Sequence, residues 1–313
     1  MTGAMIMLVA MGLDALFGWP DRAFRLIRHP VVWIGGLIRA LDRWFNIPGA
    51  ESGALRIAGT LTALIVIGVT TGTAWLIQTA LPDGWIGVAI AGVLAWPLVA
   101  MRSLYDHVAA VARPLGTGNL TLARRAVSRI VGRDPKMLDR PGVARAALES
   151  LAENTSDGVV APLFWGVIFG LPGIAAYKAV NTLDSMIGHR TERYDAFGWA
   201  SARIDDVVNL VPARLSGLLF ALMSTRPRAA LCVMRHDARR HRSPNAGWPE
   251  AALAGALDIR LSGPRVYADH VADEPWLNPG SPDPMPEDFG RALHLFRLVM
   301  LALALLIAVI ALF

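Results

Sequence analysis

The sequence predicts an all-α fold: a polytopic integral membrane helical bundle with amphipathic cytoplasmic helices and loops. Three observations predict it. Of 313 residues, 54% are apolar and only 18% charged, and the mean hydropathy is positive, a balance foreign to ordinary soluble domains. The run from Ile57 to Pro82 carries no charge and is long enough to span a hydrocarbon core with some tilt. Arginines gather in blocks beside such runs, the pattern of loops retained in the cytoplasm.

The basic balance, formally +5, is nearly all arginine, since Lys136 and Lys178 are the only lysines. No aromatic-and-basic stripe marks a nucleic-acid binder, so the lipid bilayer and anionic substrates are the expected partners. Cys232 is the single cysteine, which excludes an internal disulfide and a thiolate metal site.

Taken in order, residues 1–313 read as one polytopic membrane domain. Residues 4–18 are apolar but hold Asp14 and lack a basic leader, so a first membrane segment is expected rather than a cleaved signal. Residues 19–53, with Asp21, scattered arginines and His29-Pro30, are assigned to the cytoplasm. Segments 57–82 and 85–101 flank the Leu81-Pro82-Asp83-Gly84 turn and form a helical hairpin, with a kink at Pro97. Residues 102–157 are arginine-rich and cytoplasmic, and Gly116-Thr-Gly-Asn119 is a helix–helix turn, not a phosphate loop. Further membrane segments are expected at 158–177, 207–224 and 293–313, with 226–291 cytoplasmic and 267–290 a turn-rich surface loop. Single crossings of 158–177 and 207–224 place 178–206 outside; a re-entrant or partly buried pair keeps it inside. Both readings stay open.

The chain is organised around Arg145 to Arg214, where ionisable groups recur beside apolar segments. Such groups at membrane depth are tolerated mainly in a bundle interior or a watery cavity. Glu149, Glu153 and Asp157 are spaced by four, one stripe on a continuous helix. Lys178, Asn181 and Ser185 make a polar seam beside Asp184, and Asp205, Asp206 and Asn209 a third cluster, with Arg214 beyond. Carboxylates and amides suit Mg²⁺, and Arg and Lys suit phosphate. The plainer alternative is polar glue between helices.

Long phrases of this chain resemble the CobD/CbiB family of cobalamin-biosynthesis membrane proteins, adenosylcobinamide-phosphate synthases. They run through GLDALFGWPDRAFRLIRHPVVWIGGLI, the VGRD at Val131 to Asp134, ESLAENTSDGVVAPLF, KAVNTLDSMIGHRTERYDAFGWASARIDDVVNLVPARL and SPNAGWPEAALAGAL. One departure is ALDIRLSG, where Ser262 stands in place of the first of an expected glycine pair.

The resemblance implies that an aminopropanol unit, commonly as its O-phosphate, is joined by an amide bond to the free propionate of adenosylcobyric acid. It implies ATP and Mg²⁺, because a carboxylate must be activated, most simply as an acyl phosphate, before an amine can attack. The expected setting is the cell membrane, multi-pass, with the active site facing the cytoplasm; acting alone and acting in a complex with other late corrinoid-assembly enzymes both stay open. On this reading Glu153, Asp157, Asp184, Asp205 and Asp206 are candidates for the metal ligands or the base, with Asp184, Asp205 and Asp206 the metal set. Asn154, Asn181 and Asn209 orient water or a substrate amide, and Lys178, Arg190, Arg193 and Arg214 neutralise phosphates. His29, Asn245 and Glu250 are further substrate-binding candidates. Two rivals are a Mg²⁺-dependent membrane transferase using Asp205-Asp206-Val-Val-Asn209 on a diphosphate, and a non-enzymatic corrinoid scaffold or transporter.

Overall fold

The structure, a computed structural model, describes residues 2–20, 25, 28–132, 135–266, 271–272 and 274–313. Asp21, the Arg133-Asp134 half of the VGRD phrase, and residues 267–270 and 273 of the expected surface loop lie outside the described residues. The protein is 76% helical with almost no strand. Four helical runs are long and apolar enough to cross a membrane: Ser52–Ala80, Trp85–Gly116, Arg140–Ile187 and Pro286–Ala311, with a fifth if Trp199–Val208 and Leu210–Met223 count as one. The chain is therefore a multi-pass helical membrane protein. It divides into two compact units, the first Met1–Ala100, Ala161–Asn209 and Leu306–Phe313, the second Met101–Val160 and Leu210–Leu305.

In the first unit α1 (Gly3–Phe17) has 15 residues, fewer than the roughly 20 that span a bilayer. Here the expected segment 4–18 forms a short apolar helix. The amphipathic α2 (Pro30–Phe45) starts where the His29 ring accepts the Val31 N–H at 3.3 Å, with proline at the first helical position. The long α3 (Ser52–Ala80) leaves Ile57, Leu61, Leu64, Val69 and Trp75 exposed, as a lipid-facing surface requires. A turn leads to α4 (Trp85–Ala95), which ends in a 3₁₀ turn at Trp96–Leu98 around Pro97. Next in this unit is α8 (Ala161–Ile187), which carries the apolar run of segment 158–177 on through Lys178, Asn181, Asp184 and Ser185 without a stop. The core joins Ile34, Ile38 and Leu41 of α2, Ala63 and Val66 of α3, and Ala179, Leu183 and Ile187 of α8, with Phe197.

Helix α8 is not continuous. Gly170 sits at φ 68°, ψ −145°, outside helical space, and Pro172 follows, so the ladder breaks there. A broken backbone at membrane depth needs another partner. Gln78 of α3 supplies it, its side-chain oxygen accepting the Leu171 N–H at 2.7 Å. A Cβ on Gly170 would come within 2.4 Å of that same oxygen, so only glycine fits.

In the second unit, α5 (Met101–Gly116) and α6 (Leu120–Val127) meet at the Gly116–Asn119 turn, where Asn119 caps α6 by accepting from Leu122 N at 3.1 Å. Helix α7 (Arg140–Thr155) runs into a π turn, Ser156–Val160. The wider turn takes Asp157 off the four-residue stripe that a continuous α-helix would give Glu149, Glu153 and Asp157. Helices α10 (Leu210–Met223) and α11 (Pro227–Asp237) pack on α12 (Gly247–Leu257). The α12 residues Gly247 and Pro249 to Leu257 are all buried, and a helix apolar nearly all round belongs at the centre of its unit. The expected segment 207–224 is divided, because α9 (Trp199–Val208) ends at Asn209 before α10 begins.

Among the described residues around the expected surface loop, short strands form. Two-residue strands β1 (Leu261–Ser262) and β4 (Trp276–Leu277) pair antiparallel, as do β2 (Arg265–Val266) and β3 (Val271–Ala272). Ser262 lies at φ 60°, the left-handed region that favours glycine, which explains why glycine is expected there. The last helix is α13 (Pro286–Ala311).

Candidate functional site

The polar end of α8 is where the first unit gathers its chemistry. Beside the α2 core contacts, Val31, Gly35 and Arg39 of α2 and Lys178, Asn181 and Ser185 of α8 line an open groove of about 360 Å³. Two of its lining groups are cations, and among the described lining residues none is acidic. Lys178 is 8% exposed, so its charge is held mostly out of bulk water. Its field reaches His29: burial first, then Lys178, hold that imidazole below its usual range, against an opposing pull from the Pro97 carbonyl. The His29 ring caps α2 and meets Trp19 edge-on at 5.4 Å. Gly35 keeps the groove open, since a Cβ there would sit 3.1 Å from Met186 Sδ and 3.4 Å from the Arg39 guanidinium.

The acidic residues divide by partner. Asn209 is 1% exposed and forms a relay: it accepts from Tyr177 Oη at 2.9 Å and donates to Asp205 at 3.0 Å. Asp206, its neighbour in sequence, pairs instead with Arg203 at 3.2 Å and lies within charge range of Asp184 and Arg190. Asp184 and Arg190 are thus each within electrostatic reach of Asp206, while Asp205 is held by the network through Asn209. Arg193 is engaged by Asp42 at 2.7 Å and lies over Tyr194, with Asn46 also bonding Asp42 at 2.9 Å. This cluster pins the 188–198 turn to α2.

A second cluster lies in the other unit. Arg214 donates to Asn245 at 3.2 Å and stacks 4.5 Å over Trp248, and His241 approaches Glu250 at 3.7 Å, both side chains almost fully buried. Asn154 bonds back to Ser150 within its own helix, at 2.9 Å to the carbonyl. Glu153 is exposed and Asp157 half-buried on the π turn. Glu149 accepts the backbone N–H of Ser262 at 2.9 Å, a structural use.

Among the described residues no three His, Cys, Asp or Glu side chains gather into a ready-made metal cage. The Asp184 and Asp206 pair suits a different arrangement, since Mg²⁺ is commonly held by one or two carboxylates plus substrate phosphates and water. Arg39, Tyr177, His241 and Trp248 were not singled out by spacing. Arg39 sits in a segment read only as a cytoplasmic loop, whereas Trp248 lies within a phrase already marked and His241 just before it.

A helical membrane protein with a cationic groove and a carboxylate pair at the polar end of a broken helix is the class defined so far. The chain belongs to the CobD/CbiB family: the family model described as "CobD/Cbib protein" matches residues 7–296. It is 63% identical over 311 residues to the cobalamin biosynthesis protein CobD of Rhodobacter capsulatus, covering 99% of this chain and 98% of that protein. It is 45% identical to proteins of the same name from Sinorhizobium fredii, covering 98% and 97%, and Brucella suis, covering 93% and 91%. No solved structure matches the chain.

Proposed function

We propose that the protein acts in cobalamin biosynthesis as an ATP-dependent amide ligase, joining the free propionate of adenosylcobyric acid to aminopropanol or its O-phosphate. The observation that carries this reading is the cationic groove beside the Asp184–Asp206 pair at one end of α8. Family membership supports it, as do relatives named for cobalamin biosynthesis.

MgATP supplies the activation that makes the carboxylate an acyl donor. Asp184 and Asp206 are the residues that would hold the metal. Lys178 and Arg190 balance the negative charge of phosphate groups in a setting where water screens it poorly. The amine must attack as a free base, and the phosphate oxygen that leaves the acyl carbon takes up its proton as the C–N bond forms. Asn181 and Ser185 lie beside Lys178 and orient the amine. Asp205 keeps its place through Asn209 and Tyr177, and so shapes the site from behind. The active site faces the cytoplasm, where ATP is available.

The test is turnover by the purified protein alone with adenosylcobyric acid, aminopropanol phosphate, Mg²⁺ and ATP, read by corrinoid mass. Formation of the amide only when ATP is present is expected. No mass change with active substrate present would overturn the ligase and favour a scaffold or transporter, while turnover of a diphosphate without ATP would favour the transferase.

A further inference from the structure

We propose that the outer face of α10 binds an anionic phospholipid, with Arg214 and Arg239 holding the headgroup phosphate and a row of leucines taking an acyl chain. The site stands apart from the ligase reading. Leu210, Arg214, Leu218 and Leu222 recur every four residues, so they share one face of the helix. The three leucines are 40%, 40% and 51% exposed, whereas Ala213, Ser216, Gly217 and Phe220 on the other side are buried, and α10 packs on α12. With 14 residues α10 is about 21 Å long, too short to cross a bilayer alone. Both its ends are tied to the segment that follows it. Arg214 bonds Asn245 at 3.2 Å, and Arg226, just past the last turn, pairs with Asp258 at 2.6 Å. A short helix held along one side and apolar along the other is built to lie at the boundary between headgroups and acyl chains.

Charge selects the lipid. Arg214 stacks 4.5 Å over the Trp248 ring and bonds the Leu210 carbonyl at 2.7 Å, an arginine and an indole side by side as at a membrane interface. Among the described residues Arg214 has no carboxylate partner, and neither has Arg239, exposed on the turn after α11. Nearby arginines differ: Arg226, Arg240 and Arg242 face Asp258, Asp237 and Glu274. Arg239 lies within charge range of Arg214, so two unbalanced cations stand beside the leucine row. A small soluble anion would satisfy the arginines and leave the leucines in water. A zwitterionic headgroup brings a cation of its own. An anionic phospholipid meets both needs with one molecule.

Lipid retention tests this. The full-length protein is placed in nanodiscs of dioleoylphosphatidylcholine with a titrated fraction of dioleoylphosphatidylglycerol, and native mass spectrometry identifies the lipid that stays bound on release. Phosphatidylglycerol should be retained roughly 10-fold in preference to phosphatidylcholine. Arg239→Gln should cut that preference roughly 5-fold and Arg214→Gln at least as much, while Arg239→Lys should keep most of it. Leu218→Asn, which leaves both arginines in place, should also weaken retention. Arg239 and Leu218 are exposed, so their variants should fold even where Arg214→Gln does not, and thermal unfolding of each checks this. Arg125→Gln, at an exposed arginine of α6, controls for diffuse charge. Equal retention of the two lipids, or unchanged preference in Arg239→Gln, overturns the proposal. So does an equal loss in Arg125→Gln, or full retention in Leu218→Asn. Release of phosphatidylglycerol by millimolar inorganic phosphate or ATP would assign the arginines to a soluble anion and overturn it as well.

Discussion

Gln78 on α3 holds Leu171 on α8: its side-chain oxygen accepts the Leu171 N–H at 2.7 Å, across the break at Gly170. One amide near the end of a helix that carries no charge beyond Arg56 thus supports the half-helix that carries Lys178 and Asp184. Gln78→Leu should leave that N–H without a partner and cost about 1–3 kcal/mol of stability. Thermal unfolding in detergent checks it, and an unchanged unfolding midpoint would show that the bond contributes nothing.

The two adjacent aspartates should separate in function. Asp184→Asn and Asp206→Asn should lower corrinoid amidation by roughly 10²- to 10⁴-fold at matched membrane abundance. Asp205→Asn should chiefly lower abundance, because it disturbs the buried relay to Asn209 and Tyr177. Tyr177→Phe should behave as Asp205→Asn does. Wild-type turnover in both Asp184→Asn and Asp206→Asn would move the active site elsewhere.

Ser262 is strained and its hydroxyl is buried with no hydrogen-bond partner among the described residues. Ser262→Gly should remove both penalties and stabilise the protein by roughly 1–2 kcal/mol. A lower unfolding midpoint would mean that the hydroxyl has a use the conformation hides.

Acid should loosen the turn-rich segment first. Asp283 bonds Arg260 through both oxygens, at 3.0 and 2.6 Å, and also bonds Arg145, while both guanidiniums lie over the Trp276 ring, at 4.2 and 5.1 Å respectively. The Arg260 bonds, chiefly, hold the Asp283 carboxyl below the usual carboxylate range against partial burial. A depressed folded-state value means that this stabilisation is complete above the unfolded value, near pH 4, and is lost as pH falls through the folded one. Hydrogen exchange of residues 274–285 should therefore quicken below about pH 4 in the wild type. Asp283→Asn should exchange quickly at every pH, and a matching acid response in that variant would assign the effect to another group.

Orientation has its own test. Arg125→Cys is exposed on α6 and, with Cys232 replaced, should resist an impermeant thiol reagent in intact cells, because arginine-rich loops stay cytoplasmic. Ready labelling would invert the topology.

Much of the fold was legible because lipid imposes long apolar runs. The charge-free stretch 57–82 becomes α3 at Ser52–Ala80, and the turn read at Gly116–Asn119 forms there, with Asn119 capping α6. Ends were harder. Segment 158–177 continues to Ile187 because polar residues at the end of a membrane helix still favour helix, and the break that matters lies at Gly170, inside the apolar run. In the site, the identities of Lys178, Asp184 and Asp206 were visible as misplaced polarity. Their division of labour was not, since adjacent carboxylates look alike until one meets Asn209 and the other Arg203. Arg39 was hidden for a similar reason: one arginine among many gains meaning only when α2 packs on α8.

The scarcity of lysine turns the groove into its own reporter. Lys136 is exposed and Lys178 only 8% so, and apart from the chain's α-amine these two are the whole complement of primary amines. Acylation followed by peptide mass mapping would therefore give two side-chain signals from the entire polypeptide. The modification at Lys136 calibrates reagent and exposure time, and the modification at Lys178 measures how far the groove admits reagent to a buried side chain, in native membranes and without any engineered label.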